Sequence, residues 1–284
     1  FQTTTMRKYI FCMMAAFAAV LMTSCSADEG TEPGGDTKAY VQTNTYAVAA
    51  PLDADADFLV RVSTNSAVKG AYILLEKHDD YSKHIAEMGK DAYNDYVVKN
   101  GGVVKGVAGR SEVDTTFYGL KGEYMATVVA VGNNGQAQAA DSVSFTGIAW
   151  NKVCDGTLTF GPTAQQLFNK TSVDVELDQN ADNAAQYRLK GVFGAGYNIK
   201  FRRYSLTYED EEDGEYNVCL VPGQATPYTY GNYGTVYFAD GYTYQVADPE
   251  GGYFPSNKVK LNLVYYVSAG QLTNPDMVVF TPAN

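Results

Sequence analysis

The sequence predicts an all-β protein built from two β-sandwich-like domains, residues 38–147 and residues 148–284. Short runs rich in Val, Tyr, Phe and Thr recur along the chain, and Gly, Asn and Asp turn signals separate them. A helical period occurs only once, inside the first domain. The chain has 284 residues, of which 45% are hydrophobic and 19% charged, and this is enough for two packed cores.

The first element is a signal peptide over residues 1–24. Arg7-Lys8 is a basic start, and residues 9–22 are an apolar run of the length of a signal-peptide core, short for a membrane span. The run ends in Leu21-Met22-Thr23-Ser24-Cys25, which resembles the cleavage site of bacterial lipoproteins. The resemblance implies that Cys25 is lipidated; an ordinary secretory peptide with a chance Cys is the alternative.

Residues 25–37 follow as a flexible tether, because they are Gly-rich and acidic and hold no large apolar residue. Acidic residues directly after a lipidated Cys resemble the surface-export signal of Bacteroidetes lipoproteins. This implies an outer-membrane lipoprotein at the cell surface, with a periplasm-facing lipoprotein as the alternative. The net charge of −11 argues against a nucleic-acid partner and leaves the lipid on Cys25 as the membrane anchor.

The first domain begins with three predicted strands, residues 40–48, 58–62 and 71–75. The period then changes, since Ile85, Met88, Ala92 and Tyr96 recur at the spacing of one helix face. Asn100-Gly101-Gly102 is a helix stop signal. The sequence therefore predicts a short amphipathic helix inserted between strands.

The end of this domain carries the most specific likeness. Residues 122–131 place Tyr124 and Val128 on one face of a strand, and Asn133-Asn134-Gly135 supplies a hairpin turn. With Leu120, these residues resemble the end of a fibronectin type III domain, a module with an Ig-like sandwich. The resemblance implies that Leu120 begins a turn, that Tyr124 forms a corner hydrogen bond and that a hairpin follows at Gly135.

The second domain continues in strands without an evident helix. Residues 173–177 and 259–263 alternate between apolar and polar, and Ala239-Asp240-Gly241 reads as a hairpin turn. Trp150-Asn-Lys-Val-Cys-Asp-Gly-Thr157 and Tyr253-Phe-Pro255 resemble a β domain that follows such modules in Bacteroidetes lipoproteins. That resemblance implies no chemistry.

Groups suited to catalysis are scarce. His78 and His84 are the two histidines of the sequence, with a spacing unsuited to a metal site, and no nucleophile elbow or phosphate loop occurs. We therefore expect no enzyme, no cofactor and no metal. Acidic side chains are abundant, so a glycoside hydrolase remains a less favoured alternative. The acidic runs at residues 53–57 and 209–215 are expected to be solvated turns rather than calcium loops.

Two kinds of modification are considered. Cys154 and Cys219 lie in an oxidising compartment, where a disulfide between them is allowed and two buried free thiols are the alternative. Asp114-Thr115-Thr116 and Asp141-Ser142-Val143 resemble the O-glycosylation motif of exported Bacteroidetes proteins. This resemblance implies sugar on Thr115 and Ser142.

Tyrosine gives the main functional signal, since 14 of the 23 Tyr lie between Tyr187 and Tyr266. Tyr228-Thr-Tyr230-Gly-Asn232-Tyr233-Gly is too polar for a core. We expect Tyr228, Tyr230 and Tyr233 to stack on sugar rings while Asn232 bonds hydroxyls; protein contact and structural tyrosine are the alternatives.

The sequence thus predicts a lipid-anchored cell-envelope protein that captures a polysaccharide without catalysis. The alternative is a structural or adhesion lipoprotein that binds an envelope protein.

Overall fold

The computed structural model describes residues 38–283, and Lys38–Asn284 form one compact unit. The predicted all-β, sandwich-like fold is confirmed, because the described residues contain 18 strands and two α-helices. The signal peptide and the whole tether, including Cys25, lie outside the described residues.

The first seven strands form a sandwich of two antiparallel sheets. One sheet has the order β1-β2-β5 and the other the order β4-β3-β6-β7. Val60 and Val62 of the first sheet and Val128 of the second are fully buried in the same core, as expected where alternate residues of facing strands point inward. The strands are β1 Val41–Tyr46, β2 Phe58–Thr64, β3 Gly70–Lys77, β4 Gly102–Val103, β5 Ser111–Phe117, β6 Gly122–Val131 and β7 Ala137–Gly147.

The predicted helix is present as α1, His78–Asn100, but it is interrupted at Gly89 (φ 76°). A residue in the left-handed region breaks the helical phase, so the stripe predicted across this point is displaced. Tyr93 and Val97 are the buried residues of α1, whereas Ala92 is exposed.

The features expected from the fibronectin likeness are partly present. Leu120 is buried and Gly135 takes a positive φ of 70° between β6 and β7. Tyr124 makes no corner hydrogen bond to any described residue; its ring instead lies 3.9 Å from the Lys77 ammonium, a cation–π contact. The family likeness itself stays a prediction.

The remaining strands form one 11-stranded sheet that closes on itself. Along one edge β16 pairs with β15 and β14, and along its other edge it pairs with β18 and β17. Eight strands therefore form a ring in the order β16-β15-β12-β11-β10-β9-β8-β18, and the hairpin β13–β14 extends from it along β16. Closure leaves those eight strands no free edge.

The strands of this sheet are β8 Trp150–Thr159, β9 Ser172–Asn180, β10 Gln186–Lys190, β11 Ile199–Asp210, β12 Gly214–Leu220, β13 Gln224–Thr229, β14 Thr235–Asp240, β15 Gly252–Tyr253, β16 Val259–Val267, β17 Gly270–Gln271 and β18 Asp276–Pro282.

Two local expectations for this half are wrong. A short helix, α2 (Pro162–Phe168), follows β8 and packs Phe168 against Phe193 and Tyr265 at ring distances of 5.1 Å. Its signal was Pro162 at the first helical position. The turn at Asp240 opens no hairpin, because β14 pairs with β13 and β16 and not with the next strand, β15. The Asp240 carboxylate is buried and accepts hydrogen bonds from Val221 N and Thr243 Oγ1.

Candidate functional site

The predicted tyrosine site lies at the tip of the β13–β14 hairpin. A single 3₁₀ turn, Gly231–Tyr233, joins the two strands, and Tyr230 N donates to Gly234 O at 2.9 Å across its base. Gly231 and Gly234 take φ values of 50° and 84°, which other residues rarely adopt. The glycines therefore set the tight tip that presents its tyrosines outward.

Tyr230 and Tyr233 form an exposed aromatic pair. Their exposed fractions are 46% and 58%, their ring centroids are 6.3 Å apart and their planes differ by 28°. At that distance the rings are displaced sideways rather than stacked face to face. Asn232 lies exposed between them in sequence. The tip thus offers two nearly parallel aromatic surfaces beside an amide.

Tyr228, predicted to stack on a sugar ring with Tyr230 and Tyr233, does not join this pair. A bulge between Ala225 and Thr229 shifts the register of β13, and the half-buried Tyr228 ring packs 4.8 Å from Phe168 and 6.3 Å from Phe193. Between these positions β13 has two more residues than β14, and this irregularity interrupts the regular alternation of its side chains. The sequence predicted the same role for all three tyrosines. In the structure Tyr228 packs against the core, whereas Tyr230 and Tyr233 are exposed.

A second aromatic group, not predicted from the sequence, involves the same hairpin. Tyr237 of β14 is 37% exposed and pairs across the strands with Tyr266 of β16 at a ring distance of 5.7 Å. Tyr244, from the loop after β14, packs 4.8 Å from Tyr266. The Tyr237–Tyr266 register depends on strand pairing, which a single sequence does not specify.

The acidic loop between β1 and β2 is not solvated as expected. Asp55 is 5% exposed and accepts hydrogen bonds from Lys200 Nζ at 2.5 Å and Trp150 Nε1 at 3.1 Å. Arg188 Nη1 lies 2.9 Å from Asp53 Oδ2 and 3.4 Å from Asp55 Oδ2. Buried charges persist only when they are paired, so this loop joins the sandwich to the closed sheet.

Arg188 is the centre of this junction. Its Nε lies 2.8 Å from Asp178 Oδ2, and its guanidinium lies 4.7 Å from the Trp150 ring. Burial raises the pKa of the Asp178 carboxyl. A Cβ on Gly196 would come 2.6 Å from Leu52 O, so glycine lets the two backbones meet here. These contacts form a structural junction between the sandwich and the closed sheet.

A cleft of about 830 Å³ lies beside the junction. It is lined by Asp155, Asp174 and Glu176 among others. Lys152 lies 2.7 Å from Asp155, and Lys190 lies 3.2 Å from Glu176. Asp155 and Glu176 are therefore members of ion pairs, and Asp174 accepts a hydrogen bond from Thr157 Oγ1 at 2.7 Å. These contacts argue against an acid–base role for the three carboxylates.

The second acidic run forms the β11–β12 turn. Lys260 Nζ lies 2.7 Å from both Asp210 and Asp213, and Lys258 lies 2.6 Å from Asp213. The hydrogen bond from Lys260 lowers the pKa of Asp210 to about 2. Within residues 38–283, no three His, Cys, Asp or Glu side chains meet as a metal-binding group.

His84 of α1 contacts a polar cluster between α1 and β3. Its Nδ1 lies 2.7 Å from Glu76 Oε1, and Tyr93 donates to the other Glu76 oxygen at 2.6 Å. Burial raises the pKa of Tyr93. The cluster ties the inserted helix to β3.

Of the two alternatives for Cys154 and Cys219, a disulfide or two free thiols, the structure has the free thiols. The first is partly exposed and the second is buried. They lie on β8 and β12, strands separated by three others in the ring. Neighbouring strands are about 4.8 Å apart, so this placement exceeds the Cα separation a disulfide accepts.

The two expected O-glycosylation sites lie on edge strands. Ser142 is exposed on β7, and its hydroxyl is 2.9 Å from Thr127 Oγ1. Thr115 is half-buried on β5, next to Asp114, which is paired with Arg61 at 2.8 Å. Modification at Thr115 and Ser142 stays a prediction.

Comparisons with known proteins give no family for this chain. No protein-family model, no curated protein sequence and no solved structure matches it. In residues 38–283, neither helix has the length and apolar character needed to cross a membrane.

Proposed function

We propose that the protein is a lipid-anchored cell-envelope protein that captures a glycan at the β13–β14 hairpin. The observation that carries this proposal is the exposed, nearly parallel pair Tyr230–Tyr233. Aromatic rings present an apolar face of low entropy cost, and the C–H face of a sugar ring matches it. Asn232 beside the rings supplies an amide for hydroxyl groups.

The proposal includes the anchor and the address predicted from the sequence. Cys25 would carry the lipid, and the tether would hold residues 38–284 away from an outer membrane at the cell surface. A Cys25→Ser variant is expected to leave the membrane fraction. Retention of that variant in the membrane fraction would contradict the anchor without bearing on glycan capture.

Affinity electrophoresis of residues 38–284 tests glycan capture, since these residues form one compact unit. The gel contains plant, host or microbial polysaccharide, and reducing ends are assayed in parallel. We expect retardation without new reducing ends, and its loss in the double variant Tyr230→Ala/Tyr233→Ala. The matched control is Tyr204→Ala/Tyr208→Ala, which removes two exposed tyrosines from β11.

Three other outcomes of this experiment would contradict the proposal. New reducing ends would make the protein a glycoside hydrolase and overturn the non-catalytic proposal. If both double variants lost retardation equally, binding would depend on exposed tyrosines in general and not on the hairpin tip. No retardation on any polysaccharide would overturn glycan capture.

The second candidate function, binding of an envelope protein, has its own supporting surface. Leu206 and Tyr208 of β11 are 44% and 45% exposed, next to Tyr204. The register of β11 against β12 shifts between Arg203 and Thr207, so residues 204–206 lie outside the regular strand pairing. Exposed apolar groups on a strand are common in protein contact surfaces. A pull-down from the cell surface that compares the unchanged protein with Tyr204→Ala/Tyr208→Ala would test this candidate.

A further inference from the structure

A second tyrosine pair lies along the strands that lead from the hairpin tip. Tyr237 follows Tyr233 by four residues on β14, so the two positions are at most about 13 Å apart along an extended chain. Tyr237 and its partner Tyr266 have ring planes 23° apart. The hairpin therefore carries two similar tyrosine pairs, one at its tip and one at the junction with β16.

The two segments that carry these tyrosines also lack charge. Residues 221–239 and 261–275 contain no Asp, Glu, Lys, Arg or His, although 19% of the whole chain is charged. The first segment covers β13 and all of β14 except its last residue, Asp240, and the second covers most of β16 and all of β17. Within these segments no cation is present to pair with an anionic ligand. The net charge of −11 adds repulsion of any polyanion.

We infer that the ligand is a neutral, linear glycan whose successive sugar rings contact the Tyr230–Tyr233 pair and then the Tyr237–Tyr266 pair. This inference rests on the proposed function and specifies its ligand class. A polymer with uronate or sulfate groups would lose hydration without gaining a cation. A single sugar is too short to reach both pairs, so affinity depends on chain length.

Isothermal titration of residues 38–284 with oligosaccharides of graded length tests the inference. The neutral probes are cello-, manno- and malto-oligosaccharides from single sugars to octamers, and the charged probe is the matching series of oligogalacturonides. We expect affinity for one neutral series to rise until both pairs are spanned. The charged series should show no binding.

The diagnostic variants are Tyr237→Ala and Tyr237→Leu, which remove the flat ring with and without the apolar volume. Each should weaken binding of the long neutral oligomers by about tenfold, equal to about 1.4 kcal/mol, and leave the shortest binding oligomer unchanged. Tyr204→Ala is the matched control, because Tyr204 and Tyr237 are both 37% exposed. Circular dichroism shows whether each variant is folded.

The outcomes separate this inference from the proposed function. Binding could be lost in Tyr230→Ala/Tyr233→Ala and yet not depend on oligosaccharide length, or not change in either Tyr237 variant. That result overturns the contact at the Tyr237–Tyr266 pair and leaves the proposal of glycan capture in place. Preference for the oligogalacturonides overturns the neutral ligand class alone. No binding of any oligosaccharide, together with no retardation on polysaccharide gels, overturns both.

Discussion

Two loops of this protein, residues 53–57 and residues 228–234, are both predicted to lie in water, yet the structure gives them opposite surroundings. The acidic loop is drawn into a junction where Asp55 is 5% exposed and paired with Lys200 and Arg188. The tyrosine loop leaves Tyr230 and Tyr233 about half exposed. Charge here holds the fold together, whereas uncharged aromatic rings face the solvent. The second loop is therefore the one we propose as the ligand-binding site.

The largest expected effect is at the junction. Arg188→Met leaves Asp178 buried without its cation and leaves Asp55 with Lys200 alone, and removing one partner of a buried ion pair costs about 3–5 kcal/mol. Urea denaturation of residues 38–284 measures this loss. Arg61→Met is the matched control, because Arg61 is paired with Asp114 at the surface and exposed pairs contribute little. Equal losses in the two variants would contradict the structural role of the junction.

A smaller effect separates the tyrosines of the second loop. Tyr228→Ala removes a half-buried ring packed on Phe168 and Phe193, and we expect a loss of about 2 kcal/mol in the free energy of unfolding. Tyr230→Ala and Tyr233→Ala should each stay within about 0.5 kcal/mol, as surface substitutions do. The same urea titration compares them. A large loss at Tyr230 or Tyr233 would make these rings structural.

The pH dependence of the acidic turn is a third test of the role of charge. Lys260 lowers the pKa of Asp210 to about 2, so its stabilising contribution is complete above the ordinary pKa of 3.8 and is lost as the pH falls through about 2. Lys260→Met should raise the Asp210 pKa toward its ordinary value, measured by carboxyl ¹³C NMR titration. Lys258→Met should leave it unchanged, because Lys258 contacts Asp213 instead. An unchanged Asp210 pKa in Lys260→Met would contradict the pairing.

The smallest expected effect concerns the thiols. Since Cys154 and Cys219 are free, adding a reducing agent should not change the unfolding curve of residues 38–284. Burial raises the pKa of Cys219, so Cys219 should react with iodoacetamide only after unfolding. Mass spectrometry counts the alkyl groups. A shift of the unfolding curve on reduction would show a disulfide.

Much of the architecture follows from local sequence patterns. Alternation predicted strands such as residues 173–177, and the turn at Gly135 predicted the β6–β7 hairpin, because these signals depend on neighbouring residues alone. Gly89 shows the limit, since its left-handed conformation breaks a periodic stripe that the sequence predicts as continuous. The closure of the large sheet requires β16 and β18 to pair, and such long-range contacts have no local signature.

The candidate site could be predicted only in part. The Gly/Tyr composition of residues 230–234 indicated an exposed tip, and the tyrosines there are exposed. The burial of Tyr228 depends on a bulge, and the Tyr237–Tyr266 pair depends on strand register. The junction depends on Arg188, a residue 135 positions from Asp53 in the chain. Each of these features comes from tertiary pairing rather than from a motif.

Hydrogen exchange with and without a bound neutral polysaccharide tests the central claim most directly. If the Tyr230–Tyr233 and Tyr237–Tyr266 pairs bind the ligand, residues 224–239 and 263–267 will gain protection from exchange. Residues 155–157, 174–176 and 190–198, which line the cleft beside the junction, will exchange as before. Protection confined to the cleft would contradict the account and move the site to the paired carboxylates.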